Sequence, residues 1–90
     1  MPKFIIEREI PDAGNFDVDQ LRAISKKSRE VLCVLGTDIQ WIHSYVAGDK
    51  VYCIYLAPSK ELIKSHADMA GFPANSITEI SNVIDPNWAE

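Results

Sequence analysis

Two short β-rich segments joined by a tight loop constrain the fold of this chain more than any other feature. They cover residues 39–46 and 51–57 and enclose the loop Ala47-Gly48-Asp49-Lys50, a pattern typical of a β-hairpin. Apolar residues occur at both odd and even positions, whereas a hairpin with one face in water alternates apolar and polar side chains. We therefore expect both faces of the hairpin to be covered, which one layer of helices cannot achieve.

The segments that flank the hairpin each supply one strand and one helix. Apolar and charged residues alternate in the first segment, and apolar residues recur at three- and four-residue steps in the helical ones. The predicted elements are strands over 3–10, 39–46, 51–57 and 77–84 and helices over 17–35 and 60–70. The order βαββαβ predicts a ferredoxin-like α+β fold, with two helices on one face of a four-stranded antiparallel sheet.

Capping residues mark the ends of both predicted helices. Asp17 followed three residues later by Gln20 forms a capping-box pattern, and Gly36 stands where a C-terminal glycine belongs. Ser59 is placed to cap the second helix, and Gly71 to close it.

Length and charge limit the possible functions. The 90 residues with a net charge of −4 predict a single domain over 1–90, whose small core leaves stability marginal. An acidic balance argues against nucleic acid or an anionic membrane surface as partner. With no transmembrane-length apolar run or signal peptide in view, we expect a cytoplasmic protein. Its two cysteines lack a CxxC or zinc-type spacing and are expected to be thiols.

Residue parity assigns the hairpin side chains to two faces. One face is predicted to hold Trp41, His43, Tyr45, Tyr52, Ile54 and Leu56, with Trp41 opposite Leu56, and the other Ile42, Ser44, Val46, Val51, Cys53 and Tyr55. The side chains of Ile42, Val46, Val51 and Cys53 in the second set are smaller than the aromatic ones of the first. We therefore expect this compact set to meet the helices, together with Phe4 and Ile6. A second subunit would cover the open face, giving a homodimer with a dimeric α/β-barrel-like assembly.

The open face carries the first candidate metal site. His43, Glu7 and Glu9 share this face if the strand parities hold, although a β-bulge in either strand would break the inference. One imidazole and two carboxylates suit a divalent first-row metal such as nickel, zinc or manganese. Waters or groups from a second subunit would complete the shell. The alternative is a solvated pair of carboxylates beside an interface histidine.

A second candidate site combines His66 with Cys53. His66 lies on the apolar side of the second predicted helix, where it could approach Cys53 if the compact hairpin face is the inner one. Histidine and cysteine form a soft metal pair, but most histidines in such positions are packed and hydrogen-bonded.

An enzyme remains an alternative. His43 between Trp41 and Tyr45 could act as a general base in an aromatic pocket, as in a small dimeric α/β-barrel enzyme. The sequence offers no Ser/His/Asp set, and its dispersed glycines form no phosphate loop. The sequence therefore favours a non-catalytic metal-binding protein, with a pure interaction module as the third possibility.

Several segments together resemble a known family of small bacterial proteins. They are 1–8 (MPKFIIER), 39–46 (IQWIHSYV), 52–55 (YCIY), 66–67 (HA) and 71–75 (GFPAN). The family was defined by a domain of unknown function, and some members are described as nickel-responsive or nickel-binding. The resemblance implies a ferredoxin-like fold, a homodimer and nickel binding, but it assigns no ligand, so His43, Glu7 and Glu9 stay a geometric nomination.

Overall fold

The computed structural model describes residues 2–35 and 38–89. Four strands and two helices follow one another as the sequence predicts: β1 (Lys3–Glu9), α1 (Val18–Leu35), β2 (Gln40–Ala47), β3 (Lys50–Leu56), α2 (Lys60–Ala70) and β4 (Ser76–Glu79), with short 3₁₀ turns at Ala13–Asn15 and Pro86–Ala89. Within these described segments, no helix is long and apolar enough to cross a membrane.

The four strands form one antiparallel sheet in the order β2-β3-β1-β4. This strand order places β1 in the interior of the sheet, between β3 and β4. Together with the sequence of elements βαββαβ along the chain, it confirms the predicted ferredoxin-like α+β fold. β1 is therefore paired along both of its edges, and its alternating side chains define the two faces of the sheet.

The last strand is shorter than the predicted strand over 77–84, because its partner ends. β4 pairs with β1 up to Glu79 opposite Phe4, and one further backbone bond joins the Ile80 amide to the Lys3 carbonyl at 2.7 Å. β1 begins at Lys3, so this strand offers β4 no further pairing position. The chain then leaves the sheet, and Val83 and Ile84 are exposed.

The inner face of the sheet forms the core with the helices. Phe4 lies opposite Tyr55 and Ile6 opposite Cys53, and all four side chains are buried together with Ile63 of α2. This arrangement confirms that Phe4 and Ile6 face the helices together with Val51 and Cys53 of the compact hairpin set.

A bulge in β2 changes the predicted face of Trp41. The register shifts between Trp41 and His43, so Trp41 lies opposite Tyr55 instead of Leu56. The extra residue, Ile42, is 40% exposed, and the predicted inward position of this side chain is also wrong. A β-bulge sets two residues against one and reverses side-chain parity on one side of it, which brings Trp41 against the core.

Both helices begin at the predicted capping residues. At α1 the Asp17 amide donates to Gln20 Oε1 at 2.9 Å, and the Gln20 amide donates to Asp17 Oδ1 at 2.8 Å. At α2 the Leu62 amide donates to Ser59 Oγ at 3.3 Å. Gly71 ends α2 with a left-handed φ of 73°, which glycine adopts without strain. The predicted role of Gly36 lies outside the described residues.

The reciprocal cap of α1 gives a stability prediction. Asp17→Ala removes the acceptor for the Gln20 amide and should lower the free energy of unfolding by about 1 kcal/mol. Urea unfolding followed by circular dichroism measures it. Glu30→Ala, at an exposed position inside the same helix, should change the free energy much less. Equal losses in the two variants would contradict a capping contribution from Asp17.

Candidate functional site

The outer face of the sheet carries an exposed histidine on its edge strand. His43 in β2 lies opposite Ile54 of β3 and is exposed. Its ring packs edge-on against Tyr45, with 4.9 Å between ring centroids, and Tyr45 itself is 58% exposed. The bulge precedes His43, so its predicted pairing with Ile54 holds while that of Trp41 fails.

Glu7 and Glu9 lie on the same outer face, in the interior strand β1. Glu7 pairs with Tyr52 and Glu9 with Lys50 across β3. Glu7 Oε1 accepts from Lys50 Nζ at 2.5 Å, and this hydrogen bond, reinforced by charge attraction to Glu7, raises the pKa of Lys50. The Glu7 carboxylate is therefore already engaged by a cation.

The register keeps His43 apart from these carboxylates within one chain. His43 is in line with Ile54 of β3 and Ile5 of β1, so two strand spacings, about 10 Å, separate it from β1. Glu7 lies a further two residues along β1. Across residues 2–35 and 38–89, no three His, Cys, Asp or Glu side chains are grouped closely enough to hold a metal ion.

The second candidate pair lies on the inner face, and its two members have different partners. The hydroxyl oxygens of Ser28 and Tyr55 lie 3.3 Å and 3.2 Å from His66 Nε2. Cys53 Sγ instead accepts from Ser44 Oγ at 3.0 Å and Arg8 Nε at 3.5 Å. His66 thus behaves as a packed, hydrogen-bonded histidine. Cys33 and Cys53 are free thiols, as predicted.

A cavity of about 230 Å³ opens between α1 and the inner face of the sheet. Its apolar wall comes from the segment between β1 and α1, from α1 itself, from the hairpin and from the segment after α2. Its polar side chains are Arg8, Ser25, Ser28, Ser44, Cys53 and Tyr55. Trp41 lines it as well, because the bulge turns the indole inward, and Trp41 Nε1 donates to Ser44 Oγ at 3.0 Å. The cavity lies on the face opposite His43.

Arg8 is the residue of this cavity that the sequence reasoning missed. Its side chain is 2% exposed, with Nη1 donating to the Pro73 carbonyl at 2.6 Å and the guanidinium carbon 5.6 Å from the centre of the Phe72 ring. The signal was available: Arg8 shares the parity of Phe4 and Ile6, which were assigned to the inner face.

The titratable neighbours of Arg8 on this face have shifted pKa values. Burial, aided by the positive charge of Arg8, lowers the pKa of His66 to about 4. Burial also raises the pKa of Tyr55 above its usual value of about 10. Both groups are therefore neutral at pH 7, and Arg8 carries the positive charge among them.

The lowered pKa of His66 gives a pH prediction. Between about pH 6.5 and 4 the unfolded chain binds a proton at His66 that the folded chain does not, so acidification should cost stability in this range. The loss assigned to His66 should be on the order of 2–3 kcal/mol. It is measured as the difference in urea-unfolding free energy between pH 7 and 4.5.

Two variants isolate this contribution from that of the carboxylates. His66→Gln should reduce the loss between pH 7 and 4.5, because its side chain does not titrate. Ser65→Ala, at an exposed position of α2 that carries no titratable group, should keep the wild-type pH dependence. If His66→Gln lost as much stability on acidification as the wild type, the buried neutral histidine would not be the cause.

Comparisons with known proteins identify the family. No functionally curated protein sequence matches the chain. The crystal structure of SCO4226 from Streptomyces coelicolor A3(2) superposes with a TM-score of 0.75 and 20% sequence identity, covering 91% of this chain and 99% of that one, a likeness that supports the fold. The family model described as "Nickel responsive protein SCO4226-like" matches residues 4–80, which is most of the sequence. The chain therefore belongs to this nickel-responsive, SCO4226-like family.

Proposed function

We propose that this protein binds a divalent metal ion, with nickel as the metal, on the outer face of its sheet. Membership of a family described as nickel responsive is the observation that carries the proposal. His43 supports it from the structure, because its imidazole is exposed on that face and is accessible to a metal. The protein would buffer or sense the metal in the cytoplasm, where its two free thiols stay reduced.

The donor chemistry of the outer face suits such a metal. Neutral His43 would provide a nitrogen ligand, and Glu7 and Glu9 would provide oxygen ligands. Within one chain, β3 lies between His43 and the carboxylates, so we propose that a second copy of the chain completes the shell. Each histidine would then meet acidic side chains or waters held by the other subunit.

A homodimer through the outer face would also cover apolar surface. Ile5, Tyr52 and Leu56 are half-buried on this face, while Tyr45 is 58% exposed. Apolar surface of this kind is typical of an interface between subunits. The small single domain would gain from the partner the burial that its own length does not provide.

Nickel titration of the purified protein tests the histidine ligand. Isothermal titration calorimetry should show nickel binding to the wild type and at least a tenfold loss of affinity in His43→Ala, because the nitrogen that would bind the metal is removed. Glu61→Gln removes an exposed acid of α2 and serves as a control that should bind normally. Equal affinity in His43→Ala and wild type would remove His43 from the site.

The pH dependence of the same titration provides a second readout. Protons compete with the metal for an imidazole ligand, so nickel affinity should fall between pH 7.5 and about 5.5. Affinity that stayed constant over this range would speak against any histidine ligand.

The ion pair between Glu7 and Lys50 allows a test of the carboxylate. If Glu7 binds the metal, the ammonium group of Lys50 competes with the metal for the same carboxylate, so Lys50→Met should increase nickel affinity severalfold. Lys60→Met, at an exposed lysine of α2, controls for the change in net charge. An equal gain in nickel affinity in both variants would show that only the overall charge matters. It would exclude Glu7 as a metal ligand that competes with Lys50.

The alternative enzymatic role for His43 has less support. The cavity beneath α1 lies on the inner face, whereas His43 stands on the outer face. A general base in this position would therefore have to act in a pocket formed by two subunits.

A further inference from the structure

We propose that the cavity between α1 and the sheet binds a small organic carboxylate, whose charge pairs with the guanidinium of Arg8. The proposal is independent of metal binding, because this cavity lies on the inner face of the sheet. It rests on a buried cation that has no oppositely charged partner in residues 2–35 and 38–89, on the size of the cavity and on the nature of its walls.

Among the residues that the structure describes, no carboxylate pairs with the buried guanidinium of Arg8. An arginine side chain stays protonated in proteins, and burying an unpaired charge is costly. Its described partners are neutral: the Pro73 carbonyl, the Cys53 sulfur and the face of Phe72. The lining of the cavity contains no Asp or Glu among the residues that the structure describes. An anion from outside the chain would supply the missing charge.

One nitrogen of Arg8 has no hydrogen-bond partner among the described residues. Nη2 is fully buried and finds no hydrogen-bond acceptor in the described part of the chain. Because Arg8 itself lines the cavity, a carboxylate there could accept from this nitrogen. Charge-assisted hydrogen bonds between guanidinium and carboxylate are among the strongest in proteins.

The other polar groups around the cavity favour an anion with a single charge. His66 and Tyr55 are neutral at pH 7, because burial lowers the pKa of His66 and raises the pKa of Tyr55. The hydroxyl groups of Ser28 and Tyr55 line the cavity and could donate to a carboxylate. A doubly charged phosphate would leave one negative charge uncompensated in this setting.

The size and the walls of the cavity define the rest of the ligand. A volume of about 230 Å³ exceeds the roughly 150 Å³ of a cavity that holds benzene, and it is below the roughly 300 Å³ at which sites for drug-sized ligands begin. The apolar wall is formed largely by Phe16, Leu21, Ile24 and Phe72, with Trp41 beside them. A carboxylate with one aromatic ring or a short branched chain fits these limits.

Benzoate and its neutral analogue benzamide test the proposal on the wild-type protein. The two tryptophans provide internal markers: Trp41 lines the cavity, and Trp88 is 65% exposed in the tail. In ¹H–¹⁵N spectra recorded with EDTA, benzoate should shift the indole signal of Trp41 in a saturable way and leave that of Trp88 in place. Benzamide should bind at least tenfold more weakly. Equal binding of the two, or no saturable shift with benzoate, would overturn the proposal.

Variants then assign the contact. Arg8→Met should abolish the preference for benzoate, whereas Arg29→Met, at an exposed arginine of α1, should retain it. Ser25→Phe narrows the cavity from α1 and leaves Arg8 unchanged, so it should weaken benzoate binding at least tenfold even if Arg8→Met fails to fold. Unchanged benzoate binding in a folded Arg8→Met or Ser25→Phe protein would refute the site.

One further variant separates this site from the metal site. His43→Ala should bind benzoate as the wild type does, because His43 lies on the other face of the sheet. Benzoate binding that was lost in His43→Ala, or that required nickel, would place the carboxylate on a metal and contradict a site at Arg8.

Discussion

The pairing of β1 along both edges is the constraint on which the two candidate sites depend. Hydrogen bonds to β3 and β4 fix which side of the sheet each β1 side chain occupies. Ile6 and Arg8 point into the core, and Glu7 and Glu9 point to the outer face. A slip by one residue would exchange the two sets, moving the carboxylates into the core and the guanidinium into solvent.

The fold could be predicted from the sequence because its signals are local. Alternation, helical spacing and the capping pairs at Asp17 and Ser59 each reflect residues a few positions apart, and the element order then leaves few topologies. The two errors arose from long-range pairing. β4 stops where β1 offers no further partner, and the bulge at Ile42 turns Trp41 inward; neither depends on the local pattern of its own strand.

The candidate sites were harder to predict, since they depend on which strands become neighbours. Parity placed His43 and Glu7 on one face, but only the order β2-β3-β1-β4 shows that a whole strand lies between them. His66 and Cys53 were both expected on the inner face, yet Ser28 from α1 lies against His66 Nε2 and Arg8 from β1 donates to Cys53 Sγ. These partners are distant in sequence, so spacing gives no indication of them.

The segment Glu7-Arg8-Glu9 shows why local charge balance is misleading in a strand. Along the sequence, two acids flank one base and appear to neutralise it. In an extended strand, however, consecutive side chains point to opposite faces, so the backbone layer of the sheet separates Arg8 from both neighbours. Glu7 consequently pairs with Lys50 on the outer face, and Arg8 enters the core with neutral partners. The same alternation therefore places two carboxylates on the outer face of the sheet and one guanidinium in its core.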